Sequence, residues 1–139
     1  MNANNAWPSP APGDIVWCLF SEIPDVEPGL KPRPALVMGI EERADGVIVS
    51  VVYGTSQRVN RLNTGEVAIT QAKHAAAYAL AGLAYDTKFD FKVIIELPWT
   101  TRYFKSPPRA IHGNTPKIGT LHATVIRAVE TAYRAAMSR

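Results

Sequence analysis

Proline and glycine break this chain so often that few folds stay open to it. Eleven prolines and nine glycines fall among 139 residues. Each proline removes a backbone donor and fixes a torsion, and each glycine frees the backbone to turn. The pattern favours short strands joined by turns over a helical bundle. A hydrophobic content of 47% is enough for a core, and the length suits one domain.

Fifteen Lys and Arg against twelve Asp and Glu give a net charge of +3. That mild excess permits an anionic partner such as RNA without demanding one. Cys18 is the one cysteine, so no intrachain disulfide is expected and a zinc site would need other residue types. No apolar run approaches the roughly 20 residues that span a bilayer. Met1 to Pro12 lacks the basic and apolar regions of a signal peptide. A cytoplasmic protein with no membrane contact is expected.

Residues 1–12 are polar and Pro-rich and read as a flexible arm ahead of a single domain over 13–139. Strands are expected at Ile15 to Phe20, Pro34 to Ile40, Val47 to Tyr53, Glu66 to Thr70, Thr87 to Leu97 and Lys117 to Leu121. Asp45-Gly46 is a hairpin signal. Ser21 to Pro32 forms a long loop of the kind that often carries function. Ala72 to Leu80 suits a short helix closed by Gly82. His122 to Met137 is the one convincing long helix, with Val125, Val129, Ala132 and Ala136 on one stripe. The expected architecture is mainly β, a partly open barrel with a C-terminal helix packed on it.

Two short segments carry candidate chemistry. In Lys31-Pro32-Arg33-Pro34 the prolines stiffen the entrance to a strand, where a guanidinium can fork onto a phosphate. The bland alternative is a basic turn that merely starts the strand. In Gly54-Thr55-Ser56-Gln57-Arg58, glycine allows close backbone approach, and two hydroxyls and an amide offer donors to phosphate oxygens. Its bland alternative is a strand end whose hydroxyls satisfy their own backbone. Arg58 and Arg61 lie in the basic loop that follows, and Arg102, Lys105 and Arg109 lie in a second one. His74, His112 and His122 have no metal-ligand spacing, and His122 stands where it would cap the last helix.

Read in order, these segments resemble the MazF/PemK family of toxin–antitoxin ribonucleases. The residues concerned are Gly13-Asp14-Ile15-Val16-Trp17, Arg33-Pro34-Ala35-Leu36-Val37, Thr55-Ser56-Gln57 and Lys117-Ile118-Gly119-Thr120-Leu121. The match is good from Gly13 to Gln57 and poor from about Ala72 to Gly113, to which the resemblance assigns no role. It implies an SH3-like barrel and a homodimer. It implies metal-independent cleavage of single-stranded RNA by the 2′-hydroxyl, with no cofactor. It also implies a cognate antitoxin whose extended acidic tail blocks the groove. Arg33 falls on the family's catalytic arginine and Thr55 on its catalytic threonine. Glu27 stands near the family's glutamate, one place off register and without the neighbouring glutamine. Lys31, Ser56, Gln57, Arg58 and Arg61 become the expected RNA-binding residues.

The chemistry leaves the general base open among Glu27, Glu22, Asp25 and a remote histidine, because a guanidinium stays protonated and is a poor base. A second function class stays open as well, in which the same barrel is a non-catalytic module that binds protein or nucleic acid.

Overall fold

The computed structural model describes residues 7–19, 31–108 and 111–138. These residues form six strands and two helices: β1 (Asp14–Cys18), β2 (Arg33–Arg43), β3 (Gly46–Thr55), β4 (Glu66–Ile69), α1 (Ala75–Leu80), β5 (Thr87–Pro98), β6 (Lys117–Thr120) and α2 (Ala123–Met137). The strands make one antiparallel sheet in the order β4-β5-β3-β2-β1-β6. The expected fold class holds, but the sheet is open, with β4 and β6 as its two edges.

Both faces of the sheet are covered, which explains the nearly unbroken apolar runs of β2 and β3. In β2, Leu36 belongs to one core cluster, while Ala35 and Val37 belong to the other; in β3, Val52 divides from Val49 and Val51 in the same way. The first cluster is closed by α2, whose buried residues are Val125, Val129, Ala132 and Ala136, the stripe read from the sequence. His122 caps that helix, its Nδ1 accepting from the Thr124 N–H at 3.0 Å. This satisfies one of the amides a helix start leaves open.

The second cluster is aromatic. Trp7 packs edge-on to Trp99 with ring centroids 5.6 Å apart, and Trp99 meets Phe104 at 4.7 Å. Such pairs add about 0.5–1.5 kcal/mol beyond the burial itself. The Trp99 indole donates to the Pro8 carbonyl at 3.0 Å. Trp7, which the sequence places in a flexible arm, is thus a core residue. Trp99 and Phe104 give part of the poorly matched 72–113 region a task, closing the face opposite α2.

Local differences from the expected elements are small. Arg43 pairs with Gly46, so the two-residue turn is Ala44-Asp45 and Gly46 already belongs to β3. α1 starts three residues later than expected, at Ala75. Residues 20–30, which hold most of the Ser21 to Pro32 loop with Glu22, Asp25 and Glu27, lie outside the described residues, as does Arg109. No helix among the described residues is long and apolar enough to cross a membrane.

Candidate nucleic-acid cleft

Arg33 opens β2 and Thr55 closes β3. The two strands run antiparallel with Ala35 opposite Tyr53, so Arg33 and Thr55 share one end of the sheet. Their outer neighbours are fixed by register: Cys18 pairs with Arg33, and Lys88 with Thr55. Two residues distant in sequence are therefore neighbours because the Ala44-Asp45 turn folds one strand back on the other.

A cleft of about 330 Å³ opens at this end. Lys31, Arg33 and Lys117 bring positive charge to it, Ser56 brings a hydroxyl, and Trp17 and Tyr85 bring aromatic surface. No carboxylate is among its described lining residues. Its floor depends on Gly54. A Cβ there would sit 2.8 Å from the Phe89 ring and 2.9 Å from both the Pro34 carbonyl and the Thr87 methyl, inside contact distance for all three. Arg33 is half-buried with its Nε fully enclosed, so its side chain is partly withdrawn from solvent.

The segments that carried the resemblance also have structural work to do. Asp14 Oδ2 accepts from the Ala11 N–H at 2.9 Å, and Asp14 Oδ1 lies 3.4 Å from Lys117 Nζ. This pair ties β1 to β6 and sets Lys117 at the cleft wall. In the sequence Lys117 stands out only as the basic start of a strand motif just before the last helix. Leu121 donates its N–H to the Gly13 carbonyl at 2.8 Å, closing the same corner.

The expected RNA-binding residues do not all meet in this cleft. Lys31, Arg33 and Ser56 line it. Thr55 does not, and its hydroxyl accepts from the Gln57 N–H at 3.1 Å. Arg58 lines a second, larger groove of about 1050 Å³ between the 58–65 loop and α2, which Ser56 also borders. Gln57 and Arg61 line neither. Arg61 instead gives its carbonyl to Lys88 Nζ at 2.9 Å. That same ammonium meets Glu66 at 3.1 Å, with both side chains less than a tenth exposed, so a buried ion pair pins the basic loop to β5. Arg102 lies over the Tyr103 ring at 5.5 Å and, like Lys105, is away from both openings.

Cys18 is no nucleophile here. Burial pushes its thiol far up, which keeps it protonated at neutral pH. His74 is occupied locally, accepting from the Thr70 N–H at 3.1 Å. Among the described residues no three His, Cys, Asp or Glu side chains converge as metal ligands would.

No protein-family model matches the sequence, and no curated relative does. Solved structures do match. An endoribonuclease from a mycobacterial species, in complex with its cognate antitoxin, aligns with a TM-score of 0.56 over 93% of this chain and 95% of its own, at 16% identity. A second mycobacterial endoribonuclease aligns with a TM-score of 0.57 over 96% of this chain and 95% of its own, at 15% identity. Over nearly its whole length, then, the chain has the fold of these endoribonucleases, an antiparallel sheet with a C-terminal helix.

Proposed function

We propose that the chain is the toxin of a toxin–antitoxin pair, a metal-independent endoribonuclease that cuts single-stranded RNA. The supporting observation is the cleft where β2 begins and β3 ends. Three cations and no carboxylate are among its described lining residues, in a fold shared with endoribonucleases. A small, positive, partly aromatic opening suits one nucleotide of a flexible strand better than a rigid duplex.

The chemistry follows from the substrate. The RNA's 2′-oxygen attacks the adjacent phosphorus, the bond to the 5′-oxygen breaks, and the products are a cyclic phosphate and a 5′-hydroxyl. The 2′-hydroxyl proton passes to a base, and the leaving oxygen takes a proton from an acid. Arg33 stabilises charge growing on the non-bridging oxygens, which suits a group that stays protonated. The Thr55 oxygen accepts from Gln57, and its own hydroxyl proton remains to orient a phosphate oxygen. Glu27 is the proposed base, with Glu22, Asp25 and a histidine as alternatives. Lys31, Ser56 and Gln57 grip the flanking backbone, and Arg58 and Arg61 attract it. The active form is a homodimer in the cytoplasm, neutralised by an acidic segment of an antitoxin.

The test is incubation with a long single-stranded RNA in excess EDTA, followed by mapping of the new ends. Discrete cuts ending in cyclic phosphate are expected. Intact RNA at all enzyme concentrations would favour a second reading, a binding module without cleavage. One observation favours that reading: Thr55 lies outside the lining of the cleft that holds Arg33.

A further inference from the structure

Tyr85 is 72% exposed at the edge of the cleft that Arg33 and Lys31 line. An aromatic ring left in water beside a cluster of cations has no packing role to explain it. The backbone around it is nonetheless firmly held. Thr87 Oγ1 donates to the Tyr85 carbonyl at 2.8 Å, and the next residue, Asp86, accepts from the Gln71 N–H at 2.8 Å. On the other side, Gly82 lies so close to β6 that a Cβ there would overlap the Ile118 carbonyl. Gly82 also takes a positive φ of 69°, which glycine adopts at little cost. Anchored backbone and presented ring together make a pre-organised platform.

We propose that Tyr85 is the surface on which one base of a single-stranded RNA stacks while Arg33 and Lys31 hold its phosphate. The claim rests on the reading of the cleft as an RNA site and adds the element that grips a base. Every base has a π-face, so a lone ring stacks with little regard to sequence. Tyr85 therefore supplies affinity and register, while the choice of target sequence lies elsewhere.

The test uses a fluorescent single-stranded oligoribonucleotide with 2′-O-methyl groups throughout, which cannot be cut because the attacking hydroxyl is blocked. Anisotropy titrations compare the wild type with Tyr85→Phe, Tyr85→Leu and Tyr85→Ala over a range of salt. Tyr85→Phe should bind like the wild type. Tyr85→Ala and Tyr85→Leu should weaken binding roughly tenfold or more. The slope of log K against log salt should stay the same, because no phosphate contact is lost. Leu keeps apolar bulk without a π-face, so an Ala variant that fails to fold does not spoil the test.

Wild-type affinity in the Leu variant would overturn the proposal, and so would equal losses in Phe and Leu, which would point to the hydroxyl. A wild type that ignores the oligonucleotide would overturn this proposal, while the ribonuclease reading would stand or fall on cleavage of natural RNA. Tyr85-dependent binding without cleavage of natural RNA would uphold the platform and remove the ribonuclease. Cleavage with binding indifferent to Tyr85 would do the reverse.

Discussion

Two openings meet at Ser56 and differ in almost everything else. The cleft by Arg33 is small, about 330 Å³, and the charged side chains among its described lining residues are all cations. The groove along α2 has about three times the volume, yet its charges are mixed: Arg58 and Lys73 with Glu66 and Asp86. Its acids are already engaged. Glu66 takes the Lys88 ammonium and the Asn63 N–H, and Asp86 takes the Gln71 N–H. Its α2 wall is of small residues, Ala128, Thr131 and Ala135. Size is therefore a poor guide to a binding site. A groove whose polar groups serve its own backbone is chiefly a seam between a loop and a helix, whereas a cleft with one sign of charge concentrates the opposite sign.

Substitutions can break or sharpen that contrast. The largest effect is expected at the seam, in stability. Lys88→Met leaves Glu66 buried without its cation, which costs about 3–5 kcal/mol. Urea unfolding should show a matching drop in midpoint, and an unchanged midpoint would mean the loop is not held by the pair. Next comes Arg33→Ala, in activity. Cleavage should fall about 10² to 10³-fold with the melting temperature retained, and Arg33→Lys should rescue poorly, because a point charge cannot replace a planar fork. Wild-type cleavage by a folded Arg33→Ala protein would move the chemistry out of the cleft.

Gly54→Ala should cost about 1–3 kcal/mol through overpacking against Phe89, Pro34 and Thr87. Unfolding at wild-type urea would show that the floor is softer than its contacts imply. The smallest effect belongs to Arg58→Ala in the groove. It should reduce the salt slope of RNA binding by about one and leave saturated turnover near wild type. A loss as large as that of Arg33→Ala would merge the two openings into one site.

Much of this arrangement was legible where local pattern decides structure. The α2 stripe of Val125, Val129, Ala132 and Ala136 is a helical period and nothing else, and the pair Pro32 and Pro34 marks where β2 can begin. The hairpin was displaced by one residue because Gly46, with φ at 140°, serves as the first residue after the turn rather than inside it. What stayed hidden depends on partners far along the chain. Trp7 sits among prolines and asparagines and looks unsupported until Trp99 arrives beneath it. Lys88 and Glu66 meet only once β4 and β5 are in register, with Ala68 opposite Lys88. Arg33 and Thr55 could be paired as neighbours from the resemblance. The division of Ser56 and Arg58 between two openings could not, since it depends on how one loop leaves the sheet. Tyr85 gave no signal, because the exposure of one aromatic in a loop is not written in its neighbours.

An open sheet raises a problem that a closed barrel avoids: its borders can recruit further strands from other molecules. Here the borders are made poor templates. The edge strands β4 and β6 have four residues each, too short to offer a long ladder. Beyond Asp90, β5 continues without β4 beside it. That stretch carries exposed Lys92 and Glu96 and ends on Pro98, which has no amide hydrogen to offer a newcomer. An unclosed sheet with such borders therefore offers little to edge-to-edge addition of a second molecule.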